Sequence, residues 1–145
     1  LSDKRLLITT NGLNIASELI RLENSTINIV GGELSKNSIA LNGPIALRSV
    51  ENLNLDTCFL STSAFSETNG FSCGNIHDCH LKQSIISRSK CKILMSDSSK
   101  FSLSMPYSFA SLTDIDILIT DTHIEPKILK MLKESKMKII MVEEK

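Results

Sequence analysis

The chain has 145 residues, with 16 basic and 16 acidic side chains and a formal net charge of zero. This length is enough to bury the core of one domain, and a hydrophobic content of 41% is typical of globular proteins. The balanced charge counts against a nucleic-acid-binding surface, because phosphate binding needs a clustered basic excess. No apolar run approaches the roughly 20 residues of a membrane helix. The four cysteines form no CxxC pair, and we expect a cytoplasmic protein with reduced thiols.

Short apolar runs alternate with stretches of helical character along the chain. The predicted strands cover residues 5–10, 27–30, 56–60, 93–96, 115–120 and 138–142. The predicted helices cover residues 13–22, 44–50, 78–88 and 125–134. Short strands rich in Ile, Leu and Val are typical of a mostly parallel sheet with helices on both faces. The sequence therefore predicts a Rossmann-like α/β fold, and no domain boundary is visible in it.

Three stretches are less regular. Residues 33–43 are ambiguous and leave room for a short hairpin. Residues 61–77 form a long polar segment with little periodicity, and loops of this length inside a compact domain are usually functional. Asp78 is the predicted N-terminal cap of the helix that follows. A further loop is predicted through Pro106, with a short helix near residues 112–113.

Polar turns directly follow five of the predicted strands. They are residues 10–12 (Thr-Asn-Gly), 31–33 (Gly-Gly-Glu), 61–63 (Ser-Thr-Ser), 97–100 (Asp-Ser-Ser-Lys) and Asp121. The carboxyl ends of parallel strands meet at one sheet edge, where ligands bind, so these turns together predict a ligand crevice. Lys100 would offer a point charge to a phosphate, and Asp97 would accept hydrogen bonds from sugar hydroxyls. Each turn taken alone is better explained by ordinary turn and cap chemistry.

One cluster of metal-ligating side chains, His77, Cys79 and His80, lies at the start of a predicted helix. No second ligand pair in the sequence has zinc spacing, and three such residues on a helix cannot all face one ion. Surface and helix-cap roles are therefore favoured, and neither a metal nor a cofactor is predicted. Lys82, on the same helix, is by default a solvated lysine.

The ordered set of motifs resembles the effector-sensing domain of DeoR-type bacterial transcriptional repressors of sugar metabolism. The matching stretches are TTNGLNIASEL, INIVGGEL, NGPIA, LDTCFLSTSAF, NGF, HLKQSIISRSK, ILMSDSSKF and DIDILITD. Each motif alone is weak, whereas TNG, GGEL and DSSKF in this order are specific, and the resemblance covers essentially the whole chain. It implies the fold of ribose-5-phosphate isomerases and glucosamine-phosphate deaminases, with residues 1–145 as a sugar-phosphate sensor domain.

The resemblance also implies a binding site and a way of acting. The residues that would line or support the pocket for a phosphorylated sugar effector are Asn11, Gly31, Gly32, Lys82, Asp97, Ser98 and Lys100. The implied protein is a homo-oligomer without enzymatic activity, and effector binding changes its affinity for DNA. DNA would be bound by an N-terminal winged helix-turn-helix. We expect that domain and a Gly-Thr-Thr phosphate loop to lie upstream of a chain truncated on its N-terminal side.

Two other functions remain open from the sequence. A sugar-phosphate isomerase or deaminase on the same fold would need a carboxylate base beside the substrate carbonyl, with Asp97, Asp121 and Glu67 as candidates. The segment 61–77, however, lacks the tight carboxylate pair of ribose-phosphate isomerases, and His80 stands where the family usually has a glutamate. In a purely structural oligomerisation domain, replacing Lys100 would leave regulation unaffected.

Overall fold

Short runs of Ile, Leu and Val form the parallel strands, as their composition predicts. The computed structural model describes residues 4–143, and the chain divides into two units, Leu1–Leu53 and Asn54–Lys145. The sequence gives no sign of this division, because the residues at the boundary include no proline, glycine or serine that would mark a linker. Among residues 4–143, no helix is both long enough and apolar enough to cross a membrane.

The unit formed by Leu1–Leu53 contains a βαβ segment, a hairpin and a second helix. Its strands are β1 (Leu7–Thr10), β2 (Thr26–Ile29), β3 (Glu33–Ser35) and β4 (Ala40–Asn42). Its helices are α1 (Leu13–Leu19) and α2 (Pro44–Val50). β1 and β2 are parallel, and β3 and β4 form the antiparallel hairpin that the sequence left open. α1 ends before residue 22, where its end was predicted, because the Leu22 amide bonds to the Leu19 carbonyl in a tight turn.

Gly32 occupies a position in this unit that only glycine fits. Its φ of +128° lies in the region that L side chains rarely adopt, and an added Cβ would lie 2.3 Å from the backbone oxygen of Asn42. The neighbouring Gly31 is less restricted, since its Cβ would meet a side-chain methyl of Ile45 at 2.9 Å. Gly32 therefore lets the connection between β2 and β3 pass close to the end of β4.

We expect Gly32→Ala to lower the free energy of unfolding by about 1–3 kcal/mol, because it combines backbone strain with a clash against a carbonyl. Chemical denaturation of the full-length protein measures this. Gly74→Ala is the matched control, since a Cβ at Gly74 meets nothing within 4 Å. Equal stability of the Gly32→Ala variant and the wild type would contradict this account of the turn.

The unit formed by Asn54–Lys145 is built on two sheets. Its strands are β5 (Leu55–Ser61), β6 (Ala64–Ser66), β7 (Gly70–Cys73), β8 (Ser89–Met95), β9 (Tyr107–Ala110), β10 (Ile117–Asp121) and β11 (Lys138–Val142). Its helices are α3 (Ile76–Arg88), α4 (Pro126–Glu134) and the 3-10 turns Ser98–Lys100 and Leu112–Asp114. One sheet is wholly parallel, in the order β11-β10-β8-β5, and the other is antiparallel, in the order β6-β7-β9. The predicted α/β class with a parallel sheet is confirmed.

The core of this unit lies on one face of the parallel sheet. Leu94 of β8 and Leu118 of β10 are register partners, and both are fully buried. Leu132 of α4 joins them in the same cluster, together with rings from the antiparallel sheet. Burial of each such leucine contributes about 1.5–3 kcal/mol. These contacts hold the parallel strands, and hence the turns at their ends, in place.

The segment 61–77 is not the long loop that the sequence predicted. It contains β6, β7 and the first residues of α3, with the hairpin turning at residues 67–69 and β7 beginning at Gly70, whose φ is +67°. Phe65 and Phe71 face each other across the hairpin and are almost fully buried, with ring centroids 4.7 Å apart. Strands this short show no clear alternation of apolar and polar residues. The alternation is further obscured because the polar Ser72 is buried, where its hydroxyl accepts a hydrogen bond from the Met105 amide.

Two other predictions in this unit were wrong in detail. Asn75, and not Asp78, caps α3, since its side-chain oxygen accepts from the amides of His77 and Asp78 at 2.8 and 3.2 Å. Asp78 lies in the first turn, where its charge favours the helix dipole. The second error is the start of β8, which begins at Ser89 and not near residue 93. The loop predicted through Pro106 ends as expected, because β9 begins at Tyr107.

Candidate functional site

The 97–100 turn presents a carboxylate and an ammonium group at the end of β8. Asp97 accepts hydrogen bonds from the amide of Ser99, at 3.0 Å, and from its hydroxyl, so it caps the 3-10 helix Ser98–Lys100. The Ser99 hydroxyl is the main cause of a lowered pKa at Asp97, which keeps that carboxyl ionised. The Lys100 ammonium lies 3.9 Å from Asp97, and the two side chains are 39% and 55% exposed. Both charged groups are therefore open to a ligand.

A buried carboxylate, Asp121 of β10, supports this turn. Its Oδ2 accepts the amide of Ser98 and its Oδ1 accepts the amide of His123, each at 2.7 Å. The side chain is only 9% exposed. These two amides, that of Ser98 first, lower the pKa of Asp121 to about 2. Asp121 is thus a fixed anion with both oxygens already occupied.

The turn that follows β5 lies at the same sheet edge. Ser61 is the register partner of Met95 in β8, and Met95 is the partner of Ile119 in β10. The turns after these three strands therefore lie side by side, as predicted, whereas the predicted turns at residues 10–12 and 31–33 follow β1 and β2, which form a separate sheet. Thr62 is buried, and its hydroxyl donates to the carbonyls of Ala64 and Ser72, at 2.7 and 3.0 Å. That hydroxyl stabilises the hairpin.

In the unit Leu1–Leu53, Asn11 and Gly32 both contact the end of β4. The Asn11 side-chain amide donates to the Leu41 carbonyl at 3.2 Å, and Gly32 approaches the Asn42 carbonyl as described above. Gly31 and Gly32 are exposed. Asn42, which the sequence did not single out, is 7% exposed, and its Oδ1 has no hydrogen-bond partner within the described residues. At the end of β4, this unit therefore presents backbone and side-chain amide groups to a polar ligand.

Lys82 is more enclosed than a solvated helix lysine. Its ammonium lies 2.8 Å from the carboxylate of Asp78 and 4.9 Å from the centroid of the Phe109 ring. The side chain is 13% exposed. In this position Lys82 joins α3 to β9 through the cation–π contact with Phe109, whereas its ion pair with Asp78 lies within α3. An effector anion would have to compete with Asp78 for it.

We expect Lys82→Met to lower the free energy of unfolding by about 1 kcal/mol, because both contacts of the ammonium group are lost. Denaturant unfolding measures the change, with Lys130→Met, at an exposed lysine of α4, as the matched control. Unchanged stability together with lost affinity for sugar phosphates would contradict the structural role and assign Lys82 to the effector.

The two candidate bases at the sheet edge are poor proton acceptors. Asp97 and Asp121 both have a lowered pKa, whereas a general base works best with a pKa near the operating pH. Glu67, the third candidate, is exposed in the turn between β6 and β7. Neither Asp97 nor Asp121 has the raised pKa that suits a general base, so these two carboxylates give the enzyme alternative little support.

The stability of the wild type should depend on pH through Asp121. Its pKa is about 2 in the folded chain against an ordinary 3.8, so its stabilising effect is complete above pH 4–5 and is lost as the pH falls towards about 2. We expect the wild type to lose on the order of 2 kcal/mol more over this interval than Asp121→Asn. Denaturant unfolding of both proteins at several pH values measures the difference, and parallel curves would contradict it.

The residues of the possible metal cluster diverge. His77 and His80 are exposed, whereas Cys79 is 3% exposed and its Sγ lies 3.3 Å from the carbonyl oxygen of Ser108. Residues 4–143 contain no group of three or more His, Cys, Asp or Glu side chains arranged to hold a metal ion. Cys79 is part of the core.

Comparison with known families agrees with this arrangement of turns on a parallel sheet. The model of the DeoR C terminal sensor domain matches residues 1–122. The chain belongs to the DeoR sensor-domain family. This family has an isomerase- and deaminase-like fold, in line with the mixed α/β structure described here. The resemblance that the motifs indicated is confirmed.

Full-length relatives in this family are transcriptional regulators. The chain is 38% identical over 142 residues to the uncharacterized HTH-type transcriptional regulator YulB of Bacillus subtilis (strain 168), covering 98% of the chain and 55% of that protein. It is 30% identical over 135 residues to a putative aga operon transcriptional repressor of Escherichia coli O157:H7, covering 93% and 50%. It is 27% identical over 134 residues to the glycerol-3-phosphate regulon repressor of Escherichia coli (strain K12), covering 92% and 53%. The chain thus spans about half the length of these curated relatives.

Proposed function

We propose that this DeoR-family sensor domain binds a phosphorylated sugar, and that binding changes the DNA affinity of a separate domain of the same protein. The observation that carries the proposal is the 97–100 turn, which holds an exposed carboxylate and an exposed ammonium group at the carboxyl edge of a parallel sheet. Ligands of open α/β sheets bind at that edge. The name of one relative, the glycerol-3-phosphate regulon repressor, points to a phosphorylated metabolite in its own case.

The chemistry of the turn suits a phosphorylated polyol. Lys100 carries three donors and a positive charge, which favour a phosphate or a hydroxyl oxygen. Asp97, whose lowered pKa keeps it ionised, offers only acceptors and would take hydrogen bonds from sugar hydroxyls. One side chain thus supplies charge and the other supplies specificity for hydroxyl groups.

Further effector contacts are proposed in each unit taken by itself. In Leu1–Leu53 they are Asn11, Gly31 and Gly32, through their amide and backbone groups. In Asn54–Lys145 they are Ser98, which is partly exposed in the turn, and Lys82, which would exchange Asp78 for the effector. We also propose that residues 1–145 act as a sugar-phosphate sensor domain.

Regulation would follow from differential affinity. An effector can shift the protein only towards the state that it binds more tightly, so the sensor must differ between the DNA-bound and DNA-free arrangements. We further propose a homo-oligomer that acts in the cytoplasm without catalysis and contacts DNA through a winged helix-turn-helix outside these residues. The relatives, which are transcriptional regulators, support the DNA-binding part of this proposal.

We expect Lys100→Ala in the full-length protein to abolish the response of DNA binding to the effector and to leave DNA binding itself intact. The variant loses a charge-assisted hydrogen bond of about 1.5–3 kcal/mol, which corresponds to a loss of effector affinity of tenfold or more. Fluorescence anisotropy of labelled promoter DNA, titrated with ribose 5-phosphate, glucosamine 6-phosphate and glycerol 3-phosphate, measures both quantities.

Lys90→Ala is the control for this experiment. Lys90 lies at the opposite end of β8 and pairs with Asp56 on the surface, so its loss should matter little. A wild type that responds to none of the three sugar phosphates would contradict the proposal. A normal response of Lys100→Ala would remove Lys100 from the proposed effector contacts, and turnover of a sugar phosphate by the wild type would favour the isomerase or deaminase alternative.

A further inference from the structure

Asp121 joins two turns at the carboxyl edge of the parallel sheet. Its two oxygens accept the amides of Ser98 and His123, each at 2.7 Å, and its side chain is 9% exposed. Hydrogen bonds to an ionised acceptor are among the strong ones in proteins, and burial shields them from competing water. The turn after β8 and the turn after β10 are therefore both anchored to the end of β10.

The 97–100 turn otherwise depends mostly on contacts within itself. The amide of Lys100 bonds to the Asp97 carbonyl, the amide of Phe101 bonds to the Ser98 carbonyl, and Ser99 bonds to the Asp97 side chain. These bonds set the shape of the turn, and its two ends are held by the flanking residues, since the Ser96 amide bonds to the Ile119 carbonyl and Phe101 is buried in the core. At Ser98 the link to the sheet is the hydrogen bond to Asp121. A binding turn that is held in place before the ligand arrives loses less entropy when the ligand binds.

We propose that Asp121 is a positioning residue of the effector site, which holds the 97–100 turn in the orientation from which Asp97 and Lys100 contact the sugar phosphate. This inference rests on the proposed function above. We place Asp121 behind the turn and not in contact with the effector, because its side chain is only 9% exposed and each oxygen already accepts a backbone amide. Its lowered pKa keeps it ionised at neutral pH, so the anchor is permanent and does not act as a pH switch.

Asp121→Asn tests this role with almost no change in shape. An asparagine side chain keeps one acceptor oxygen and replaces the other with an amino group, which would face the amide of Ser98 or His123. Hydrogen exchange of the full-length protein should then be at least tenfold faster at the amides of residues 98–100. Calorimetric affinity should fall at least tenfold for whichever of ribose 5-phosphate, glucosamine 6-phosphate and glycerol 3-phosphate the wild type binds.

Asp116→Asn is the matched control on the same strand pair. Asp116 accepts the amide of Lys92 at 2.7 Å and pairs with its ammonium at 2.9 Å, at the opposite end of β10. The substitution removes the same charge and a hydrogen bond of the same kind. We expect it to lower the melting temperature without changing the affinity for the sugar phosphate.

Each outcome decides the proposal. The proposal is overturned if the Asp121→Asn variant keeps the wild-type exchange rates at residues 98–100, or if it keeps the wild-type affinity for the sugar phosphate. Equal losses of affinity in Asp121→Asn and Asp116→Asn would also overturn it, because the effect would then be a general loss of stability. If the wild type binds none of the three sugar phosphates, the proposed function fails. The exchange rates still decide whether Asp121 positions the turn.

Discussion

Two hydrogen bonds to the buried carboxylate of Asp121 determine how the candidate effector site is presented. The bond from Ser98 ties the exposed turn after β8 to the end of β10, and the bond from His123 holds the turn after β10. β10 is itself held by the core on one face of the parallel sheet, where Leu118 packs with Leu94. The charged groups of Asp97 and Lys100 thus project from a backbone that is anchored at two levels. Rigid support of this kind is what a specific polar site needs.

The carboxylates at this sheet edge are better suited to binding a ligand than to abstracting a proton. The hydrogen bonds that order Asp97 and Asp121 also lower their pKa, and a carboxylate held in this way accepts hydrogen bonds well and abstracts protons poorly. A fold shared with isomerases and deaminases does not decide between enzyme and sensor, because function depends on the site. The environment of these carboxylates favours a sensor, in agreement with relatives that are transcriptional regulators.

How much the sequence predicts depends on the range of the interactions involved. The apolar runs around Leu94 and Leu118 predict the parallel strands, because hydrophobicity is a property of each residue alone and can be read directly from the sequence. The hairpin with Phe65 and Phe71 was missed, since its strands of three and four residues are too short to show a period.

The candidate site shows the same limit. The polar turns at strand ends are visible in the sequence, whereas the bond from Ser98 to Asp121 spans 23 residues and appears only in the folded chain. The enclosure of Lys82 by Asp78 and Phe109 is also a product of tertiary packing.

A crystal structure of the full-length protein with its tightest-binding sugar phosphate tests the account most directly. The account predicts ligand oxygens within hydrogen-bond distance of Asp97 and Lys100, with Ser98 still bonded to Asp121. A ligand bound elsewhere, with the 97–100 turn empty, would contradict it.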